Sequence, residues 1–273
     1  MKELHIRAIY GLLFATVLAG AIVLGPISFA LLFLILVTMA LREFYALCRV
    51  AGFSPQVYPG IIFGILLFSC SYLTVQQIIP AKSFQYLLPL GYLFLVYELY
   101  RKKETPLVNL GLTLFGIIYV AIPFSLLNIL AFHPVDGVVS YHYELLISLF
   151  IFVWMSDTGA YILGVQFGRH RLLERISPKK SWEGLAGGVA SALFSAWILS
   201  LIFIQYSFML MGIMALVVAL SGTIGDLIES MIKRSVGLKD SGQFMPGHGG
   251  VLDRFDSILL ASPVIYFVFQ FLH

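Results

Sequence analysis

The sequence predicts an all-α, polytopic membrane helix bundle of about nine transmembrane helices, and three observations predict it. Of 273 residues, 60% are hydrophobic and only 11% charged, with a mean hydropathy of +0.95. Soluble domains carry roughly 25% charged residues. Seventeen basic and fourteen acidic side chains cannot cover a 30.4 kDa globule, which excludes a water-soluble fold, disorder, a collagen-like fibre and a small disulfide scaffold. The apolar residues also come in long runs rather than in alternation. Membrane β-strands need alternating segments of about ten residues, and these runs are apolar on every side, so helices are expected.

About 20 apolar residues cross a bilayer as a helix. Runs of that kind occupy residues 8–24, 27–47, 57–76, 84–100, 107–130, 143–164, 185–204, 208–230 and 255–271. The first has an alternative reading as a signal peptide cleaved after Ala19-Gly20-Ala21. Its apolar stretch continues through Ile22, Val23 and Leu24, which favours a retained helix. Gly25-Pro26 divides the first two runs, because proline interrupts a helix and pushes the preceding residue out of the α region. At the end of the second run, Arg42, Glu43 and Arg49 read as snorkelling interface residues, with Phe44, Tyr45 and Leu47 facing lipid. Pro123 falls inside the fifth run, where a kink is tolerated if neighbouring helices satisfy the freed carbonyl. Cys48 and Cys70 sit in apolar runs without a nearby Cys or His and read as small buried hydrophobes, not as a redox pair or zinc ligands.

The gaps between runs give the orientation. Sixteen of the seventeen Lys and Arg residues lie at the N-terminus, in the second, fourth, sixth and eighth gaps, or, as Arg42, at the end of the run that leads into the second gap, leaving Lys82 alone on the other side. Positive residues stay cytoplasmic. The N-terminus is therefore expected in the cytosol and the C-terminus outside. Residues 1–140 read as a lipid-facing scaffold. Residues 141–273 read as the catalytic region, with cytosolic loops 165–184 and 231–254.

The second half holds the polar residues that need explaining. Asp157 and Asp226 lie within predicted spans, where a carboxylate costs about 2.5–3.5 kcal/mol on insertion scales and so faces a bundle interior or a water-filled cavity. Asp157 reads equally as a buried structural aspartate or as part of a functional cavity. Asp226, Glu229, Ser230 and Lys233 share one helix face at i, i+3, i+4 and i+7 spacing. A loop rich in glycine and charge follows, and Asp253, Arg254 and Asp256 open the ninth helix. Recessed carboxylates without a Cys or His cluster suit hard cations, Mg²⁺ above all, alone or with a second cation. Lys233, Arg234, Lys239 and Arg254 suit phosphate oxygens. Gly247, Gly249 and Gly250 let backbone N–H groups approach an anion. Together these describe a metal–polyphosphate site facing the cytosol, with an acceptor that lives in the membrane.

Ser230, Lys233-Arg234, Lys239-Asp240, Pro246-Gly247-His248-Gly249-Gly250, Asp253-Arg254 and Asp256, in that spacing, resemble the signature of the phosphatidate cytidylyltransferase (CDP-diacylglycerol synthase) family. The pattern spans 27 positions. Ser156-Asp157-Thr158-Gly159-Ala160-Tyr161 and Ser177-Pro178-Lys179-Lys180-Ser181-Trp182-Glu183-Gly184 look like two further family blocks, so the resemblance covers the C-terminal half. Met245 departs from the expected Ile, Leu or Phe before the proline but keeps an apolar side chain. The resemblance implies Mg²⁺-dependent transfer of a cytidylyl group from CTP to phosphatidate at the cytosolic face of the cell membrane, by a homodimer, with no nucleic acid partner.

On that reading Asp226, Asp253 and Asp256 bind one or two cations. Lys233, Arg234, Lys239 and Arg254 hold phosphates, beside Ser230 and Asp240 of the same signature. Asp157, Ser177, Lys179 and Lys180 contribute to substrate binding, although the two lysines read almost as well as an ordinary cytosolic basic loop. The phosphomonoester of phosphatidate, with a second pKa of about 6, is largely dianionic at pH 7 and needs no base to attack. His248 is therefore expected to be structural or to contact phosphate. A polyprenol kinase or a CDP-archaeol-type synthase is the nearest alternative, and a transporter or channel a more distant one.

Overall fold

The computed structural model describes residues 2–135, 137–242, 244 and 249–272, and of residues 2–8, 135 and 272 only the backbone. The chain forms two compact units: Met1–His142 with Ser235–Arg254, and Tyr143–Arg234 with Phe255–His273. The chain passes from the first unit to the second after His142, and residues 235–254 group with the first.

The first unit opens with α1 (Lys2–Leu24) and α2 (Pro26–Val50). Gly25 between them has φ +135°, a conformation that costs a residue with a Cβ, and Pro26 starts α2 where its missing N–H is harmless. Ser28 Oγ closes the corner by donating to the Ala21 and Gly25 carbonyls at 2.8 and 2.9 Å. Next come α3 (Val57–Val75), a 3₁₀ turn at Ala81–Tyr86, and α4 (Leu87–Arg101). Then α5 (Pro106–Gly116) runs through a π-helical turn (Ile117–Ala121) into α6 (Ile122–Ala131). The π turn lies just before Pro123, whose ring cannot fit a regular α-turn. The helical path therefore widens where the fifth run carries its proline.

The core of this unit corrects one expectation. Phe44, Tyr45 and Leu47 are 2%, 0% and 2% exposed and so are buried in protein, not turned to lipid. Tyr45 explains why: its hydroxyl donates to the Thr113 carbonyl at 2.8 Å, and its ring lies against Gly116, where an added Cβ would fall 2.6 Å from Cε1. Small residues on α3 and α5 make room for large ones on α2.

The second unit holds α7 (Tyr143–Phe167), α8 (Trp182–Ile202), α9 (Phe208–Ser235) and most of α10 (Leu252–Leu272). Helices α7 and α8 touch through small residues. A Cβ at Gly187 would lie 2.7 Å from the Leu163 side chain, and one at Gly188 would lie 2.9 Å from the Ser156 carbonyl oxygen. Gly184, Gly187 and Gly188 of α8 all lie against α7 within the chain.

Among the described residues, six helical segments are long and apolar enough to cross a membrane: α2, α3, Pro106–Ala131, α7, α8 and α9. The other three expected spans correspond to a shorter apolar stretch at Ile9–Leu24, to α4 with 15 residues and to α10. Two antiparallel hairpins interrupt the all-α pattern. In the first unit β1 (Phe132–Val135) pairs with β2 (Val138–Tyr141), and in the second β3 (Arg171–Leu173) pairs with β4 (Ser177–Ser181). Both lie in gaps between apolar runs, where hydrophobic periodicity carries no signal.

Candidate active site

In the second unit the polar residues of α7, α9 and α10 face one another. Gly222 and Gly225 let α9 approach the start of α10: an added Cβ at Gly222 would sit 3.2 Å from Ser257 Cβ, and one at Gly225 would meet the Asp256 carbonyl. Asp226 is thereby brought beside Asp256, which lies within electrostatic reach of Asp226, Asp157 and Lys180. Asp157, Ser156, Thr223 and Ser257 line a small hollow with Val153, Val218 and Gly222.

The ammonium of Lys180 supplies positive charge here. Its Nζ lies 2.5 Å from Asp226 Oδ2 and donates to the Thr223 carbonyl at 3.3 Å, while Ser230 Oγ donates to Asp226 Oδ1 at 3.2 Å. The sequence reading put Lys180 in a loop that holds substrate; the structure puts it on the aspartate expected to hold metal. Lys180 is carried there by the β3–β4 hairpin, whose base is fastened at α8. His170 Nδ1 lies 2.6 Å from Glu183 Oε1, the His170 carbonyl accepts from Trp182 N–H, and Ser181 caps α8 by accepting from Gly184 N–H at 3.1 Å. The same hairpin leaves Arg171, Arg175 and Lys179 exposed, with Ser177 half-buried opposite Leu173.

One turn along α9 the i, i+4 spacing is used twice: Ser230 reaches Asp226, and Lys233 pairs with Glu229. Lys233 and Glu229 are both buried, so Lys233 is an ion-pair partner within its own helix, whereas Arg234 is exposed.

In the first unit the charged loop closes on two carboxylates. Asp253 Oδ2 accepts from Ser241 N–H and Oγ, both at 2.9 Å, and from Gly250 N–H at 2.7 Å. Glu43 of α2 accepts from Val251 N–H at 3.0 Å, Leu252 N–H at 2.8 Å and Ser241 Oγ at 3.2 Å. Gly250, expected to offer its N–H to an anion, thus offers it to a protein carboxylate. Gly249 has φ +81° beside Asp253, and Lys239, Asp240 and Arg254 are exposed. Gly247 and His248, with Met245 and Pro246, lie outside the described residues. Glu43 is the participant that the sequence reading missed. A lone acid at a span end, flanked by basic residues, has the composition of an interface anchor.

The model of the cytidylyltransferase family matches residues 5–272. The chain belongs to the cytidylyltransferase family. It is similar over nearly its whole length to bacterial relatives. The phosphatidate cytidylyltransferase of Bacillus subtilis (strain 168) is 31% identical over 275 residues, 98% of each chain. That of Staphylococcus haemolyticus (strain JCSC1435) is 31% identical over 270 residues, 97% of each. That of Synechocystis sp. (strain ATCC 27184 / PCC 6803 / Kazusa) is 30% identical over 271 residues, 90% of this chain and 89% of its own. The match includes the N-terminal half, where the sequence motifs are silent.

For a cytidylyltransferase the second unit's arrangement has plain chemical meaning. Asp157, Asp226 and Asp256 gather three carboxyl groups around the Lys180 ammonium. That donor set is all hard oxygen and suits Mg²⁺ in kind. Among the described residues no three His, Cys, Asp or Glu side chains form a ready-made ligand set, and Asp226 already holds the Lys180 ammonium. Metal binding here would need Lys180 to give way.

Proposed function

We propose that this cytidylyltransferase joins CTP to phosphatidate in the membrane, forming CDP-diacylglycerol and pyrophosphate for phospholipid synthesis. The observation that carries the reading is the 31% identity to a phosphatidate cytidylyltransferase over 98% of the chain. The apolar helices support an acceptor dissolved in the bilayer. A phosphate oxygen of dianionic phosphatidate attacks the α-phosphorus of CTP, the bond to the α,β-bridging oxygen breaks, and its electron pair leaves with pyrophosphate. No proton has to be removed, so the reaction needs cations and carboxylates rather than a histidine base.

The protein's task is to neutralise and align two polyanions. Lys180 and the exposed Lys179, Arg234, Lys239 and Arg254 are assigned to phosphate oxygens. Mg²⁺ held by Asp226 and Asp256 would supply further neutralisation of phosphate charge. The proposal includes an active site on the cytosolic side, nine spans with the N-terminus inside and the C-terminus outside, and, on the family resemblance alone, a homodimer.

The test is purified protein with phosphatidate and CTP labelled at either the α- or the γ-phosphate, with and without Mg²⁺. Label from the α-phosphate is expected in the lipid, and only with Mg²⁺. Transfer of the γ-label instead would mark a lipid kinase and overturn the reading.

A further inference from the structure

We propose that Glu43 is a positioning residue for the signature loop, a part of the machinery supplied by the N-terminal helices. The inference rests on the cytidylyltransferase reading above. The carboxylate reaches from α2 to backbone more than two hundred positions later, where Val251 N–H binds Oε1 and Leu252 N–H binds Oε2, and it also takes the Ser241 hydroxyl on Oε2. Val251 and Leu252 stand at the start of α10, whose first N–H groups have no partner within the helix and attract negative charge.

Three features separate this from an ordinary surface contact. Both ends of the loop meet the same carboxylate, since Ser241 and Gly242 approach it from one side and Gly250 to Leu252 from the other. The backbone is shaped around it: a Cβ at Gly242 would lie 2.6 Å from Glu43 Oε1, and one at Gly250 would lie 2.6 Å from Glu43 Cδ. Glu43 and Asp253 also share Ser241, whose Oγ contacts both at 3.2 and 2.9 Å. A hydroxyl has one hydrogen, so the pair of carboxylates is held in place chiefly by the backbone donors of the loop. Tying residues 241 and 250 to one point offsets the closure entropy of the segment between them. It sets where that segment, Lys239 and Arg254 begin and end.

An amide cannot replace this carboxylate. Both oxygens of Glu43 accept from N–H or O–H donors, and in Gln one of them becomes an NH₂ directed at a donor. The experiment uses full-length Glu43→Gln purified in detergent, assayed with labelled CTP and phosphatidate beside the wild type. Its melting temperature is read alongside, with hydrogen exchange on peptides covering 241 and 250–252. The expected result is a KM for CTP raised on the order of tenfold or more, an unchanged melting temperature, and faster exchange at 250–252.

A wild-type KM with unaltered exchange would overturn the proposal. So would activity lost in proportion to a lowered melting temperature at constant KM, the mark of a purely structural contact. Should Glu43→Gln fail to fold, Gly242→Ala presses on the same carboxylate from outside and is expected to raise the KM for CTP; a wild-type KM there overturns the inference. If the wild type makes no CDP-lipid, the enzymatic reading falls, while the exchange measurement still decides whether Glu43 fixes the loop.

Discussion

Asp226 meets Lys180, Ser230 and Asp256 at once, so its charge rather than its shape is the property to test. Asp226→Asn keeps the volume and leaves Ser230 an oxygen to bind, but removes the charge that balances Lys180. Turnover by the purified variant is expected to fall on the order of 10³-fold, the scale of losing one preorganised electrostatic group, with the protein still folded. Near-wild-type turnover would remove Asp226 from the site. This residue was legible because an ionised carboxylate inside an apolar run is costly and demands a reason. Glu43 was not, because at the end of a run the same charge is cheap and ordinary. The burial of Lys233 on Glu229 was likewise hidden: helical spacing places them on one face, but spacing does not say whether that face meets substrate or protein.

At the scale of elements, the contact between α7 and α8 depends on the absence of side chains. Replacing Gly188 by Leu puts a branched side chain where a Cβ alone would lie 2.9 Å from the Ser156 carbonyl oxygen. Overpacking of this kind costs about 1–3 kcal/mol, so a lower melting temperature in detergent is expected. Gly91→Ala and Gly212→Ala, where nothing lies within 4 Å of an added Cβ, are expected to melt as the wild type does. Equal behaviour of all three would show that α7 and α8 do not pack closely. The glycines themselves were readable as sites of close helix approach. Whether their partner was a second subunit or the preceding helix depends on how the 168–181 hairpin folds back, and that hairpin is a matter of backbone pairing rather than hydrophobic period.

For the whole molecule the sharpest prediction concerns sidedness. With Cys48 and Cys70 replaced by Ala, single cysteines placed at Lys103 and Arg175 are expected to react with an impermeant thiol reagent only from the cytosolic face, and one at Lys82 only from the opposite face. Labelling of Lys82 and Arg175 positions from the same side would break the proposed topology. The membrane character, the helical class and the cytidylyltransferase signature were set by the sequence alone, because burial in lipid and the charge of phosphate each select residue types that composition and spacing reveal. Tertiary structure decided which carboxylates keep company: Asp226 and Asp256 with Lys180 in one unit, Asp253 with Glu43 in the other. Contacts between residues hundreds of positions apart follow from packing in three dimensions, and a hydrogen bond leaves no periodic trace along the chain.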